Sequence, residues 1–160
     1  MGIKQVGTKL AYIKVKTKQG VKDMKKYLIA SHGHLASGLQ SSLEILTGMG
    51  DKVSVIDAYV DDHDYVPDIK KFIEQLNGEV GVIFTDLVGG SVNQKVMLKV
   101  VGHENVLVIS GTNLSIVLSV ILEADELTKE KLNGLISQSQ VQLVEAPQEN
   151  TEMSDDSFLE

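Results

Sequence analysis

The strongest constraint on the fold is a repeated alternation of two kinds of segment along residues 25–144. Four short apolar runs are each followed by a turn rich in glycine, serine, aspartate or asparagine. Each turn leads into a segment whose apolar residues recur at helical spacing. Alternating strands and helices with short connections favour parallel strands joined by crossover helices. We therefore predict an α/β fold of three layers, α/β/α, with a mostly parallel four-stranded sheet in the middle.

The same pattern predicts where the elements begin and end. Apolar runs predict strands at residues 26–31, 53–58, 80–84 and 105–110. Helical periodicity predicts helices at residues 35–47, 66–76, 91–101, 114–123 and, after a capping Thr128, up to 137. Asp64 and Ser91 are predicted as N-caps of the second and third helices, because short oxygen-bearing side chains accept hydrogen bonds from free N–H groups. Residues 141–144 are a candidate short fifth strand.

Composition divides the chain into a body and two flanking segments. Residues 1–23 are rich in lysine and poor in apolar residues. They are expected to be a disordered basic leader, or a stretch that precedes a true translation start at Met24. Residues 24–146 form the predicted domain, which is long enough to bury a full-sized core. Residues 147–160 are acidic and polar, and we expect them to be a mobile tail.

Charge and residue usage disfavour several classes of protein. The chain has no cysteine, which excludes disulfides, thiolate metal sites and a cysteine nucleophile, and all 15 basic residues are lysine. Residues 27–160 hold seven lysines against 21 acidic residues. Such an acidic body does not favour nucleic-acid binding but would suit a basic protein partner. No apolar run is long enough to span a bilayer and no secretory signal is evident, so a cytoplasmic protein is expected.

Two residues whose side chains could carry out chemistry follow two of the predicted strands. His32 ends the first strand and Asp86 follows the third, so both are expected at the carboxyl edge of the sheet, where open α/β sheets bind ligands. If the strands are neighbours, the carboxylate can accept the proton of one imidazole nitrogen and leave the other nitrogen nucleophilic. The alternative is that His32 is an ordinary surface histidine and Asp86 caps a loop. Spacing alone leaves both interpretations open.

A glycine-rich turn precedes the third predicted helix. Gly89 and Gly90 let the backbone approach a ligand closely, and the N–H groups of the helix start attract anions. The turn has neither the GxGxxG spacing nor the lysine of a Walker loop, so it does not indicate a nucleotide site. Beside the histidine and the aspartate it is a candidate phosphoryl cradle. Ser31, Ser91 and Asn113 are further candidate donors at this edge.

The other histidines and the acidic loop are not assigned to the chemistry. Consecutive carboxylates in a loop usually point in different directions and stay solvated, so no metal site is predicted between Asp57 and Asp64. His34 is expected to be a surface or capping residue at the start of the first helix. His103 is expected to be a loop residue.

Two motifs together resemble a known family. The segments Leu28-Ile-Ala-Ser-His-Gly-His-Leu-Ala-Ser-Gly38 and Phe84-Thr-Asp-Leu-Val-Gly-Gly-Ser91 closely resemble the IIA component (EIIA) of the mannose-type sugar phosphotransferase system, abbreviated PTS. The resemblance covers about residues 24–144. It implies a phosphotransferase component whose histidine, His32, accepts a phosphoryl group from the phosphocarrier protein HPr. His32 would then pass the group to a IIB component for sugar uptake, and so serve the membrane components IIC and IID indirectly.

The resemblance also implies roles for the neighbouring residues. Asp86 would orient the imidazole, and the turn Gly89-Gly90-Ser91 would lie beside the phosphoryl group. No cofactor is implied, because donor and acceptor are both protein histidines. The family forms a homodimer in which an antiparallel fifth strand is exchanged, and residues 141–144 would be that strand here.

Departures from the family pattern and two rival functions bear on specificity. Val92 and Ser115 stand where family members often have proline. These differences bear on which partner and which sugar the protein serves, rather than on the phosphoryl-transfer chemistry. One rival is the related phosphoryl-donor subunit of a dihydroxyacetone kinase, whose usual Ser-His-Ser and Met-Gly-Ser motifs are absent. The other is a receiver-like regulatory module, which is disfavoured because Ser31 and His32 occupy the place of its acidic pair.

Overall fold

A computed structural model describes residues 25–147 of the chain. Within them, four strands form one sheet: β1 (Lys26–His32), β2 (Val53–Ala58), β3 (Gly81–Thr85) and β4 (Val106–Ser110). The strands are ordered β2-β1-β3-β4, and every neighbouring pair is parallel. The predicted four-stranded parallel sheet is confirmed, and β1 and β3 are its central strands.

Five α-helices connect or follow these strands in the described part of the chain. They are α1 (Leu35–Thr47), α2 (Val66–Glu74), α3 (Ser91–Val100), α4 (Leu114–Leu122) and α5 (Lys129–Gln138), and a short 3-10 turn (Gly50–Lys52) precedes β2. The predicted bounds of α1 and β2 agree with the observed ones, and the others differ by at most two residues. Differences of this size are within the usual uncertainty of element ends. Between residues 25 and 147, no helix is both long enough and apolar enough to cross a membrane.

Successive side chains of β1 pack into two separate cores, one on each face of the sheet. Tyr27 and Ile29 belong to the core that includes α1, α4 and α5. Leu28 and Ala30 belong to the core that includes α2 and α3. Because both faces of the central strands are covered, these strands are apolar throughout rather than alternating. The register of these strands, in which Ala30 pairs with Ile56 and Thr85, sets the positions of the residues that follow each strand.

Two predicted helix caps were wrong by one residue. Helix α2 begins after Tyr65 rather than Asp64, although the Asp64 carboxylate does accept the Val66 N–H at 3.1 Å. Helix α3 begins after Gly90, so Ser91 is its first residue and not its N-cap, and no side chain caps this helix. The Ser91 hydroxyl is therefore available for contacts outside its own helix.

The predicted flanking segments lie almost wholly outside the described residues. The predicted basic leader, residues 1–23, is outside them, and of the predicted acidic tail only residue 147 is described. Residues 141–147 form neither strand nor helix in the single chain, and Val141, Leu143 and Val144 are each at least 80% exposed. Strand exchange requires a second copy of the chain, so the predicted fifth strand stays a prediction.

Candidate active site at the carboxyl edge of the sheet

His32 and Asp86 meet where the two central strands end. The strands β1 and β3 are paired as far as Ala30 and Thr85, so the residues that follow lie side by side. Asp86 Oδ2 accepts two hydrogen bonds from His32, one from the backbone N–H and one from imidazole Nδ1, each at 2.8 Å. Its other oxygen, Oδ1, accepts the Leu87 N–H at 2.9 Å. The structure thus brings together the two residues that the sequence singled out.

These hydrogen bonds determine the protonation of the pair. Burial opposes ionisation of Asp86, but the hydrogen bonds from the backbone and imidazole of His32, with that from Leu87, outweigh it. The pKa of Asp86 therefore lies below its ordinary value. A carboxylate can only accept hydrogen bonds, so Nδ1 of His32 carries the proton of this contact, and in the neutral imidazole the lone pair lies on Nε2.

The unprotonated nitrogen of His32 faces the start of α3. Ser91 Oγ lies 3.0 Å from Nε2, and with this tautomer the hydroxyl is the donor. The His32 side chain is 40% exposed, so another molecule can reach it from solvent. The first N–H groups of a helix lack intrahelical partners, and no side chain caps α3. The positive end of the α3 dipole therefore lies beside the nucleophilic nitrogen.

Gly89 and Gly90 shape the turn that leads into α3. Gly89 has a φ of +72°, in the left-handed region that glycine adopts without strain. Its N–H donates to Asn93 Oδ1 at 3.1 Å, and the Gly90 N–H donates to the Leu87 carbonyl at 3.1 Å. A Cβ on Gly90 would crowd Leu87, at 3.1 Å from its Cβ, and would make an ordinary contact with His32 Cε1 at 3.6 Å. The two glycine amides are engaged within the turn, which passes beside the imidazole.

Tyr59, which directly follows β2, is a site residue that the sequence did not single out. Its ring stacks on the His32 imidazole, with centroids 5.4 Å apart and planes at 24°, and its hydroxyl donates to Ser91 Oγ at 2.9 Å. Its φ of +66° is rare for a bulky side chain and costs conformational energy. One sequence signal was available: Tyr59 directly follows the predicted strand at residues 53–58, and residues that follow parallel strands lie at the same edge of the sheet. The contact with His32 itself depends on the register, in which Ala58 pairs with His32.

Two further residues extend this cluster. The Tyr65 hydroxyl donates to the Tyr59 hydroxyl at 3.1 Å, and the two rings meet edge to face. The Lys95 ammonium lies 3.4 Å from the Tyr59 hydroxyl and 4.5 Å from the Tyr65 ring centroid. The pKa of Lys95 is raised, first by its hydrogen bonding with Tyr65 and then with Tyr59, against the opposing effect of burial. Lys95 is therefore a charged ammonium near neutral pH.

The contacts form one directed chain of hydrogen bonds. It runs from Tyr65 through Tyr59 and Ser91 to His32, and it ends on Asp86. Each distance along it lies between 2.8 and 3.1 Å. Because every member donates to the next and the last is a carboxylate, the hydrogen bonds strengthen one another and hold the imidazole in one orientation.

Known proteins resemble this chain in sequence and in fold. Residues 26–136 match the protein family described as "PTS system fructose IIA component", EIIA-man. The chain belongs to this family. The resemblance to mannose-type IIA components is thereby confirmed. No curated protein matches the chain.

Solved IIA structures have the same architecture as this family member. The mannose/sorbose-specific IIA subunit from Enterococcus faecalis has a TM-score of 0.70 at 19% identity, over 78% of this chain and 97% of that one. The IIA protein associated with the fucose utilization operon of Streptococcus pneumoniae has a TM-score of 0.63 at 22% identity, over 74% and 92% of the two chains. The EIIA component from Streptococcus agalactiae has a TM-score of 0.58 at 24% identity, over 71% and 90%. These structures confirm the fold.

Ser31 lies apart from the cluster in this IIA chain. Its buried hydroxyl accepts the Ala36 N–H at 2.8 Å in the first turn of α1. Asp57, near the end of β2, accepts the Ser37 N–H at 3.0 Å and pairs with His34 Nδ1 at 3.1 Å. Side-chain oxygens therefore already accept hydrogen bonds from N–H groups at the start of α1. The position of Ser31 does not support a contact with a phosphoryl group on His32.

The remaining candidates of this IIA chain also lie apart from His32. Asn113 caps α4 through its side-chain oxygen, and its amide donates to the Ser139 carbonyl at 2.8 Å. In the acidic loop, His63 pairs with Asp68 at 2.7 Å, and this hydrogen bond raises the pKa of His63. His103 lies between α3 and β4, as predicted. In the part of the chain that the structure describes, no three histidine, aspartate or glutamate side chains converge as metal ligands.

Proposed function

We propose that this protein is the phosphocarrier IIA component of a phosphoenolpyruvate-dependent sugar phosphotransferase system. His32 accepts a phosphoryl group from HPr and passes it to a IIB component for sugar uptake. One observation carries the proposal: Nδ1 of His32 donates to the Asp86 carboxylate, which leaves Nε2 of this 40% exposed side chain as the nucleophile, at a start of α3 that no side chain caps. Membership of the IIA family supports the same function.

In the proposed transfer, Nε2 of His32 attacks the phosphorus of a phosphohistidine on the donor. The new N–P bond forms as the donor's N–P bond breaks, and the electron pair of that bond returns to the donor imidazole. The proton on Nδ1 stays in place, and the Asp86 carboxylate stabilises the positive charge that the ring gains. Delivery to the IIB component repeats these steps with His32 as the donor. Transfer between protein side chains of this kind needs no cofactor.

The start of α3 supplies the donors for the phosphoryl oxygens. The Ser91 hydroxyl already points at Nε2, and the first N–H groups of α3 favour an anion at this place. Charge-assisted hydrogen bonds of this kind are stronger than neutral ones. The sequence contains no arginine to clamp the group. This suits a carrier, because stabilising the bound phosphoryl group and the transition state equally adds nothing to turnover.

The surroundings of His32 support docking of partner proteins. Leu87 and Val88 lie in the turn beside the imidazole and are 61% and 81% exposed. Apolar side chains next to a reactive group offer contact area to HPr and to IIB in turn. The acidic body of the chain would steer a basic partner towards this surface. We place the protein in the cytoplasm as a homodimer, where it would serve IIC and IID through IIB.

A labelling experiment tests the proposal. The protein is incubated with labelled phosphoenolpyruvate, Enzyme I and HPr, and we expect an acid-labile, alkali-stable phosphate on His32. His32→Ala should stay unlabelled. His34→Ala is the matched control, because His34 is the other histidine at this edge with an aspartate partner, and it should label normally. An unlabelled wild-type protein, or equal labelling of His32→Ala, would contradict the proposal.

A second step distinguishes the acceptor. Labelled protein is mixed either with a IIB component or with a dihydroxyacetone kinase that holds bound nucleotide. We expect loss of label to IIB alone. Transfer to the kinase would instead assign the chain as a kinase donor subunit.

A further inference from the structure

We propose that Tyr59 and Lys95 are additional phosphoryl ligands: when Nε2 of His32 carries a phosphoryl group, the Tyr59 hydroxyl and the Lys95 ammonium bind its oxygens. The proposal rests on the phosphocarrier function above. Neither residue lies in the two motifs that carry the family resemblance.

The role proposed for Tyr59 follows from the space that the phosphoryl group must occupy. A group bonded to Nε2 lies in front of that nitrogen, where Ser91 Oγ is now 3.0 Å away. Whatever contacts the Ser91 hydroxyl therefore becomes a neighbour of the phosphoryl oxygens. The Tyr59 hydroxyl is 2.9 Å from Ser91 Oγ, and its ring is held against the imidazole by stacking. The hydroxyl can thus transfer its hydrogen bond from Ser91 to a phosphoryl oxygen while the ring stays in place.

Lys95 supplies a positive charge that the site otherwise lacks. A phosphoryl group brings negative charge next to the Asp86 carboxylate, in a chain without arginine whose formal net charge is −7. Lys95 follows Ser91 by four residues on α3, so the two side chains lie on the same face of the helix. Its ammonium is 3.4 Å from the Tyr59 hydroxyl. A rotation within the flexible lysine stem would bring it to the oxygens that Tyr59 binds.

The present contacts of Lys95 leave its charge available. The ammonium lies over two aromatic rings, 4.5 Å from the Tyr65 centroid and 5.4 Å from that of Tyr59. Across residues 25–147, no carboxylate lies within ion-pair distance of it. Aromatic faces attract a cation only weakly where water can reach it. An anion on His32 would therefore attract the ammonium without first having to break an ion pair.

The test measures the titration of the phosphoryl group itself. The full chain is phosphorylated with phosphoramidate, so that docking of HPr plays no part, and followed by ³¹P NMR. The signal of His32 is identified by its absence from His32→Ala. A nearby ammonium lowers the pKa of a phosphoryl group, so in Lys95→Gln the titration midpoint should rise by about half a pH unit to one unit. Lys95→Arg should keep the wild-type midpoint.

Control variants separate the ligand role from a structural one. Lys99→Gln removes an exposed lysine one turn further along α3 and should leave the midpoint unchanged. Tyr59→Phe keeps the stacked ring but loses the hydroxyl, and it should shift the phosphoryl equilibrium towards phospho-HPr by about threefold. Equal urea unfolding midpoints would show that all variants are folded.

The outcomes distinguish this proposal from the function on which it rests. A Lys95→Gln midpoint equal to those of wild type and Lys99→Gln would overturn the role of Lys95. A wild-type protein that shows no His32 signal with phosphoramidate would overturn it as well. If His32 gives its signal and the midpoint rises in Lys95→Gln, but HPr does not label the protein, the role of Lys95 stands and the phosphocarrier function is wrong. An unchanged equilibrium with phospho-HPr in Tyr59→Phe would overturn the role of Tyr59.

Discussion

One oxygen of the Asp86 carboxylate, Oδ2, accepts both the backbone N–H and the imidazole Nδ1–H of His32, each at 2.8 Å. The backbone bond fixes the carboxylate relative to β1, and the ring bond fixes the imidazole relative to the carboxylate. Rotation of the ring would break the second bond and leave the first intact. The orientation and the tautomer of His32 therefore depend on the negative charge of Asp86.

We expect Asp86→Asn to slow phosphoryl transfer from HPr to His32 by about tenfold or more, because a neutral amide stabilises the imidazolium less well and can present its NH₂ group to Nδ1. The rate of labelling by phospho-HPr measures the effect. Asp57→Asn is the matched control, because it alters the other histidine–aspartate pair at this edge and should label at the wild-type rate. Equal rates for Asp86→Asn and wild type would show that Asp86 does not orient the imidazole. That result would leave the role of His32 unaffected.

Two serines offer a matched pair of hydroxyls, one at the site and one buried. Ser91→Ala should slow labelling by about tenfold, because it removes a donor aimed at Nε2. Ser31→Ala should leave the labelling rate unchanged but lower the free energy of unfolding by about 1 kcal/mol, because the Ala36 N–H loses its acceptor. Labelling rates and urea denaturation measure the two effects. Slow labelling of Ser31→Ala together with normal labelling of Ser91→Ala would show that Ser31, and not Ser91, acts at the site.

Gly90→Ala should destabilise the protein by about 1–3 kcal/mol through crowding. Its φ of −66° suits alanine, but the new Cβ would lie 3.1 Å from Leu87 Cβ and 3.3 Å from the Leu87 carbonyl oxygen. Gly38→Ala is the matched control, since Gly38 is exposed within α1 with no atom within 4 Å of an added Cβ. That change should stabilise the protein by about 0.5–1 kcal/mol. Urea unfolding compares the two, and a Gly90→Ala protein as stable as wild type would show that the turn relaxes without cost.

The pKa of Asp57 predicts how acid affects stability. Burial would raise this pKa, but hydrogen bonds from Ser37 and His34 outweigh it, so the pKa lies below its ordinary value of 3.8. A group with a lowered pKa stabilises the fold above its unfolded-state pKa, and this contribution is lost as the pH falls through the folded-state pKa. Asp57→Asn should thus be less stable than wild type at about pH 7, and this difference should shrink as the pH is lowered towards about 2. Urea denaturation over this pH range measures the difference, and a constant difference would exclude a contribution from the charge.

Exchange of residues 141–144 predicts a dimer in solution. Val141 and Leu143 are 91% and 94% exposed in the single chain, and both would lie on the same face of an extended strand. Leu143→Lys should therefore shift the protein towards monomer, whereas Gln142→Lys adds the same charge on the opposite face and should remain dimeric. Sedimentation equilibrium measures both. A monomeric wild-type protein would rule out the exchange.

Much of the fold could be predicted because its signals are local. The apolar run of β2 (Val53–Ala58) and the periodicity of α1 (Leu35–Thr47) gave their bounds without error. The common location of His32 and Asp86 was also predictable, since parallel strands end at the same edge of a sheet. Their contact further required β1 and β3 to be neighbours, and spacing along the chain does not determine the order of strands.

The remaining part of the site depends on non-local geometry. Tyr59 reaches His32 through a left-handed φ and the register between β1 and β2, and neither leaves a pattern in the sequence. Ser91 was expected to cap α3, but the helix starts one residue earlier than a cap at Ser91 requires, and its hydroxyl turns to the imidazole instead. Ser31 is a candidate donor because it lies at the carboxyl edge, but successive residues of a strand point to opposite faces, and its hydroxyl accepts the Ala36 N–H.

The order of the strands also gives the parts of the site different resistance to local opening. The strands β1 and β3, which position His32 and Asp86, are central, whereas β2, which leads into Tyr59, lies at the edge of the sheet. Proteins open locally in cooperative units at free energies well below that of global unfolding. A fluctuation that detaches β2 would carry the Tyr59 ring away from the imidazole and leave the histidine–carboxylate pair assembled. Local opening at this edge strand would therefore remove Tyr59 from the site while the hydrogen bond between His32 and Asp86 stays in place.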